Sequence, residues 1–501
     1  MEFFDNLAVG FGVALTPANL GFAFVGAMVG TLIGVLPGIG PIATIAMLLP
    51  LTFHLEPVSG LIMLAGIFYG AQYGGSTTAI LVNLPGETSS VVTCIDGHQM
   101  ARQGRAGAAL AVAAIASFFA GSISTALLAG FAPPLAQIGQ SFGAPEYFSL
   151  MLLGLIAAVV LAHGSVVKAV AMIVLGLLVG LVGTDGNTGG TRFTFDIREL
   201  TDGIDVATLA IGLFGVGEII ANLARPAEER SLVAQKITRL WPTGDDFRRC
   251  WPAVLRGTAL GSILGVLPGG GATLSSFAAY ALEKKVSTEP SRFGRGAVEG
   301  VAAPESANNA GAQTSFIPML TLGIPGNAVM ALMIGALTIH GIQPGPQIMS
   351  ERPQLFWGMV ASMWIGNLML VIINLPLIGI WVQLLKVPYR FLYLAILLFC
   401  GIGVYTVGNS AAAVLLAAFF GVVGFILMKL DCEPAPMILG FVLGPLMEEN
   451  LRRAMKIASG DPMIFVQRPI SLGLLIAAAL LLLIVALPAI RGKREEVFQE
   501  G

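Results

Sequence analysis

The sequence predicts an all-α polytopic membrane protein of two inverted-topology repeats. Each repeat has a Pro-Gly-tipped re-entrant hairpin and broken helices, and a C-terminal helix follows. The first observation behind this is composition. Of 501 residues, 55% are hydrophobic and 11% charged, and the mean hydropathy is +0.84; a soluble globular chain carries about 25% charged residues. The second is where charge is missing. No Asp, Glu, Lys or Arg occurs between Asp5 and Glu56 or between Glu305 and Glu351. A crossing helix needs only about 20 apolar residues, so each window holds more than one embedded segment. The third is an internal repeat. Gly34-Val35-Leu36-Pro37-Gly38-Ile39-Gly40 returns as Gly265-Val266-Leu267-Pro268-Gly269-Gly270-Gly271, and the two prolines are 268 − 37 = 231 residues apart.

Apolar runs mark the elements in order. Met1 to Gly10 lacks the basic start of a signal peptide, so the first apolar segment is expected to be retained. The runs then fall near Leu20–Leu36, Pro41–Thr52, Gly60–Leu81, Gly107–Gly130, Phe148–Leu161, Val166–Val182 and Val206–Ala221. After a polar stretch they resume at Ala253–Leu267, Ala272–Leu282, Phe316–Ile339 and Phe356–Leu385. The last are Phe391–Val407, Ala411–Met428, Ala435–Met447 and Ser471–Ile490. Several are too short for a hydrocarbon core about 30 Å thick. Short apolar helices broken by Pro-Gly are the pattern of re-entrant hairpins.

Further landmarks recur. Asn83-Leu84-Pro85-Gly86 is echoed by Gly323-Ile324-Pro325-Gly326, and Asp96-Gly97-His98-Gln99 by His340-Gly341-Ile342-Gln343. A weaker echo links Ala144–Phe148 to Val387–Phe391. The expected division is a first repeat over 1–222, a cytoplasmic linker over 223–250, a second repeat over 251–450, and a final helix with a basic tail over 451–501. Charge relates the halves, because cytoplasmic loops are rich in Lys and Arg. Phe53–Pro57 has no Lys or Arg, whereas its counterpart holds Lys284, Lys285, Arg292 and Arg295. Arg102 and Arg105 follow Asp96, whereas only Arg352 follows Ile339. The sign reverses between copies, which predicts inversion. The acidic stretch Thr184–Asp205 is then extracytoplasmic.

Inverted repeats with discontinuous helices are the architecture of secondary transporters. At Pro37, Gly38, Ile39 and Gly40, and at Pro268, Gly269, Gly270 and Gly271, glycine admits a ligand to the backbone and the next helix aims its N–H groups at an anion. Thr44, Thr273, Ser275 and Ser276 follow within the first turns, and Asn83 and Asn327 flank the later Pro-Gly breaks. These form the expected substrate site. Ser76, Thr77, Thr78, Asn308, Asn309, Gln313 and Thr314 carry the oxygen ligands a hard monovalent cation wants, with Glu305 the ion or proton candidate. Hydrogen bonding between helices is the competing reading of each hydroxyl and amide. Among the other acids, Glu87 is also expected in or near the membrane and Glu218 at a helix end.

Other chemistries find little footing. A net charge of −2 without a basic block argues against nucleic acid. The four cysteines are scattered and His54, His98, His163 and His340 fall at expected segment ends, so no metal site is predicted beyond Na⁺, and no cofactor. An anion channel, or an intramembrane enzyme acting on a lipid-linked substrate, is the alternative. The enzyme would need an acidic pair or an activated nucleophile, and neither stands out.

Several motifs resemble one family. Gly34–Pro41, Tyr73-Gly74-Gly75-Ser76, Arg192–Phe195, Gly212–Glu218, Gly265–Gly269, Glu299–Asn309, His340–Pro346 and Gly440–Leu446 resemble the large membrane subunit of tripartite tricarboxylate transporters. The resemblance implies a cation-coupled importer of citrate or a related carboxylate in a bacterial inner membrane, driven by Na⁺ or H⁺. It implies a small four-helix membrane subunit and a periplasmic substrate-binding protein as partners. Elevator-like motion and a homodimer are further expectations. Asn409-Ser410-Ala411-Ala412-Ala413 departs from the family pattern, which often places an acidic residue shortly after Asn-Ser; this leaves the coupling ion open.

Overall fold

In a computed structural model of the chain, residues 2–36, 40–161, 165–224, 240–267, 271–385, 389–408 and 410–486 are described. Pro37, Gly38, Ile39, Pro268, Gly269 and Gly270 lie outside these residues, as do His163, Asn409, most of the linker and the C-terminal tail. The first half comprises α1 (Glu2–Ala14), α2 (Pro17–Val35), α3 (Pro41–Thr52), α4 (Pro57–Val82), α5 (Val91–Arg102), α6 (Ala106–Gln140), α7 (Ala144–Leu161) and α8 (Val166–Gly180). A two-stranded antiparallel ribbon follows, β1 (Gly183–Thr184) against β2 (Thr191–Arg192). Next come α9 (Val206–Ala210), a π-helical stretch Ile211–Val216, and α10 (Gly217–Leu223). The second half begins with α11 (Gly244–Val266), α12 (Gly271–Val286), α13 (Glu299–Thr314), α14 (Phe316–Leu322) and α15 (Ala328–Ile339). It continues through α16 (Gln347–Glu351), α17 (Pro353–Asn374), α18 (Ile378–Leu384), α19 (Tyr389–Gly408) and α20 (Ala411–Lys429). The last are α21 (Ala435–Ile457), α22 (Ile464–Gln467) and α23 (Pro469–Ala486).

Proline sets many of the starts, because its missing N–H costs nothing in a first turn: Pro17, Pro41, Pro57 and Pro353 all open helices. Side chains close other N-termini. Asp205 accepts from the amides of Ala207 and Thr208, and Thr243 forms a reciprocal box with Asp246. α4 ends on Asn83 at φ 59°, and α14 on Gly323 at φ 72°. The left-handed turn redirects the chain at both places.

α2, α6, α17 and α20 are long and apolar enough to cross a membrane. Only 22% of the α20 window is buried inside the protein, and its exposed face carries Leu415, Phe419, Val422 and Ile426. Such a surface suits lipid. Together with α19 and α23, whose Leu398, Phe399, Leu480 and Leu483 are also exposed, it makes this an all-α polytopic membrane protein.

Two expected segments are divided. Phe316–Ile339 breaks between α14 and α15, where Gly323 turns left-handed and Pro325 follows. Phe356–Leu385 breaks between α17 and α18, where Pro376 has no amide to donate. Conversely, the Gly107–Gly130 run extends through Pro133 and Pro134 to Gln140. His98 lies inside α5 and not at a segment end, its Nδ1 3.1 Å from the Ile80 carbonyl oxygen. The Asp96 and His340 landmarks also differ in place. Asp96 is inside α5, and His340–Gln343 begins at the cap of α15.

Polar contacts collect the loops into groups. Asp96 Oδ1 accepts from the amides of Gly294, Gly296 and Ala297, and Tyr280 donates to Oδ2. Arg105 pairs with Asp246 at 2.5 Å and Gln103 donates to the Arg295 carbonyl. This joins the start of α11 and the end of α12 to the α5–α6 turn. The start of α2 and end of α3 sit together elsewhere, at the foot of α4: Ser59 donates to Asn19, and Gly60 abuts Thr52.

Candidate functional site

Glycine stripes let two helix pairs approach until backbone meets backbone. On α2, a methyl at Gly26, Gly30 or Gly34 would sit 2.3–2.4 Å from the carbonyl oxygen of Met63, Ile67 or Ala71 on α4. On α11, the same holds for Gly257, Gly261 and Gly265, at 2.3–2.4 Å from Ala303, Ala307 and Gly311 on α13. The stripes are offset by the same 257 − 26 = 231 residues as the Pro-Gly motifs that end them. The sequence repeat is therefore also a repeat of packing.

The residues flanking the tips are equivalent too. Thr44 donates to the Gly40 carbonyl at 3.2 Å, and Ser275 to the Gly271 carbonyl at 2.7 Å. Both hydroxyls are fully buried and bonded within their own first turn. Gly271, at φ 46°, has the Asn327 amide nearby, and Asn327 caps α15 through the Met330 amide. Thr273 meets Thr88 across the halves at 2.9 Å. Asn83 is an exposed helix cap. Glu218 lies in the first turn of α10, at a helix end, and its carboxylate comes near Gly40 at the start of α3.

Glu305 is the centre of the polar cluster. It is fully buried on α13, yet three hydroxyls from the other half converge on its carboxylate. Ser76 of α4 donates to Oε2 at 2.7 Å, Ser117 of α6 faces the same oxygen at 3.4 Å, and Thr93 of α5 donates to Oε1. Asn309, one turn on, donates to Ser117 Oγ at 2.7 Å and to the Glu305 carbonyl. Among the described residues no Lys or Arg forms an ion pair with this carboxylate. Hydroxyl donors soften the cost of burying the charge, but nothing in the shell neutralises it. A small cavity opens on the cluster, lined by Tyr73, Ser76, Thr77, Ser117, Glu305 and Asn374.

The other cation candidates divide. Thr78 ties α4 to the end of α2 by donating to the Val35 carbonyl at 2.9 Å, and Thr314 bonds back to Ala310. Thr77 makes a long contact to its own helix, at 3.5 Å. Asn308 and Gln313 are buried, and both Asn308 amide atoms and Gln313 Oε1 lack a hydrogen-bond partner. Thr93 and Ser117 were not singled out by the sequence reading. The available signal was weak: a lone serine within a run of alanines, and one threonine among several near a Pro-Gly break. No cluster of three His, Cys, Asp or Glu side chains able to hold a metal occurs among the described residues.

The chain is 59% identical over 500 residues to the "Uncharacterized 52.8 kDa protein in TAR-I ttuC' 3'region" of Agrobacterium vitis, covering 100% of this chain and 99% of the relative. It is 57% identical over 240 residues to the "Uncharacterized protein in TAR-II ttuC' 3'region" of the same organism, covering 48% of this chain and 99% of that protein. No solved structure matches. The sequence pattern of a transporter family matches residues 20–439, a span that includes both glycine stripes, both Pro-Gly motifs and the Glu305 shell. The chain belongs to the tripartite tricarboxylate transporter TctA family.

Proposed function

We propose that this chain is the large subunit of a cation-coupled importer of citrate or a related carboxylate. The observation that carries the coupling is the buried Glu305 carboxylate, held by hydroxyls from three helices of the other half and without a basic partner among the described residues. A fixed negative charge in that setting calls for a mobile positive one, Na⁺ or a proton, and intramembrane ionisable groups mark such paths. The carboxylate substrate is read to bind between the hairpin ends. Gly40 and Gly271 open helices there, and Thr88 and Thr273 join the halves. The N-termini of α3 and α12 suit an anion.

The matching glycine stripes support two repeats over 1–222 and 251–450, separated by a linker over 223–250 and followed by the 451–501 segment. The separate anchoring of the α2–α3 and α11–α12 feet supports inverted re-entrant hairpins. In this reading the repeat core moves elevator-like against a scaffold that includes α19 and α20, in a bacterial inner membrane. A small four-helix membrane subunit and a periplasmic binding protein complete the system, in keeping with a tripartite family, and the scaffold pairs two copies.

The test is uptake of labelled citrate and other carboxylates into vesicles holding the chain and its partners, with Na⁺ or pH gradients imposed separately. Gradient-driven uptake lost in Glu305→Gln is the expected outcome. Uptake that ignores both gradients would make this a channel, and no carboxylate uptake under any gradient would remove the substrate reading.

A further inference from the structure

A second oxygen-lined cluster lies beside the Glu305 shell. Glu87 follows the first Pro85-Gly86 break and caps the short turn Thr88–Ser90. Ser89 Oγ meets the Glu87 carboxylate, and it also stands 2.8 Å from Gln72 Oε1. One serine proton serves only one of these two acceptors, so the oxygens outnumber the protons between them. Asn308 reaches Glu87 from α13. It is fully buried, and neither of its amide atoms completes a hydrogen bond. Buried amides are almost always paired, so one left without a full hydrogen bond beside this carboxylate is a ligand-facing feature.

Space is made for the cluster by glycine. A methyl at Gly75 would stand 2.9 Å from Glu87 Cγ, and one at Gly86 would strike the Gly34 carbonyl oxygen. The loop reaches solvent at Asn83 and Thr88, and Thr88 is the residue that touches Thr273 of the second hairpin. Asn308 and Asn309 divide the helix between the two acids. Asn308 faces Glu87, and Asn309 faces Ser117 in the Glu305 shell.

We propose that Glu87, Ser89, Gln72 and Asn308 form a second monovalent-cation site, separate from the Glu305 shell and open to the gap between the hairpins. One carboxylate, one hydroxyl and the Gln72 amide oxygen, with the Asn308 amide beside them, are a hard donor set carrying a single negative charge, which matches Na⁺ better than a divalent ion. The inference rests on the cation-coupled reading above. An ion held there would stand beside the incoming carboxylate and offset its charge, so cation and substrate would bind each other's occupied form more tightly.

Equilibrium binding of radiolabelled Na⁺ to the full chain in lipid nanodiscs tests it, on wild type, Glu87→Gln and Glu305→Gln. Each variant is expected to bind one ion fewer per chain than wild type. Because Glu87 also caps a turn, Ser89→Ala serves as a second variant that keeps the carboxylate. It should need roughly tenfold more Na⁺ for half-saturation while its unfolding temperature without Na⁺ stays at the wild-type value. A full ion count in Glu87→Gln alongside a loss in Glu305→Gln, or wild-type Na⁺ affinity in folded Ser89→Ala, overturns this site alone. No Na⁺ bound to wild type overturns it together with sodium as the coupling ion, leaving proton coupling at Glu305 to the uptake assay.

Discussion

α4 and α13 occupy equivalent places in the two halves and have been put to different uses. Their contact residues run in step: Met63, Ile67 and Ala71 on α4 match Ala303, Ala307 and Gly311 on α13, an offset of 303 − 63 = 240. Both receive a glycine stripe at backbone distance. At that offset Glu305, Asn308 and Asn309 correspond to Ala65, Phe68 and Tyr69. Phe68 and Tyr69 pack as tilted rings against Phe316, with centroids 6.3 and 6.0 Å apart. One copy therefore fills its core with rings, and the other buries a carboxylate and two amides. The lesson is that the stripe carries the architecture, whereas the Glu305 carboxylate belongs to one copy and borrows hydroxyls from the other.

The largest expected effect follows from what the copies share. Gly30→Val on α2 and Gly261→Val on α11 should each destabilise the protein by about 3 kcal/mol or more, because a backbone oxygen cannot move aside as a flexible side chain can. Thermal unfolding in detergent checks this. If one substitution were harmless, the packing equivalence would be broken.

What the copies do not share gives the next effect. Ala65 is fully buried in the apolar core. Ala65→Glu should therefore cost on the order of 3 kcal/mol, although position 305 tolerates the same carboxylate. Retained stability and activity in Ala65→Glu would mean that the shell around Glu305 matters less than its distances imply.

Within that shell, Ser117→Ala and Thr93→Val should each weaken cation dependence of uptake by roughly tenfold, as expected for one hydrogen bond to a charged group. Unfolding temperatures should change little. The half-saturating cation concentration is the measurement, and an unchanged value in both variants would remove these two hydroxyls from the coupling site.

The smallest effect concerns a contact between the halves that uses charge and not glycine. Asp185 beside the ribbon pairs with Arg192 at 2.6 Å and Arg452 of α21 at 3.2 Å, and Glu448 completes the group. The Thr188 hydroxyl, the Asn187 amide and Arg192 hold the Asp185 carboxyl well below the usual carboxylate range. A lowered folded-state value means the contact contributes fully above the ordinary aspartate pKa of about 4 and is lost as pH falls below it. Hydrogen exchange of residues 183–205 should therefore rise on acidification below that point, and Asp185→Asn should remove the pH step. A flat profile in wild type would show that the ribbon is held by other contacts.

Much of this was legible from residue order. The charge-free windows and apolar runs located the helices, and the Pro-Gly repeat located where α2 meets α3 and α11 meets α12. The i, i+3, i+4 spacing of Glu305, Asn308 and Asn309 announced a polar face, although in the structure Asn309 bonds to Ser117 whereas neither Asn308 amide atom completes a hydrogen bond. The breaks at Gly323 and Pro376 were harder to place. An apolar run reads the same whether one helix or two occupy it, and the bend depends on one residue's φ or one missing amide.

Sequence by itself determined the class of protein, the duplication and the identity of the buried acid, because hydropathy, proline, glycine and charge act locally along the chain. Only the tertiary structure decided what surrounds that acid. Ser117, Thr93 and Ser76 stand 188, 212 and 229 residues from Glu305. Helical periodicity says which side of α13 is polar but not which helices face it. The glycine stripes pair helices within each half; it is the packing of α13 against α4, α5 and α6 that brings hydroxyls of one half onto a carboxylate of the other.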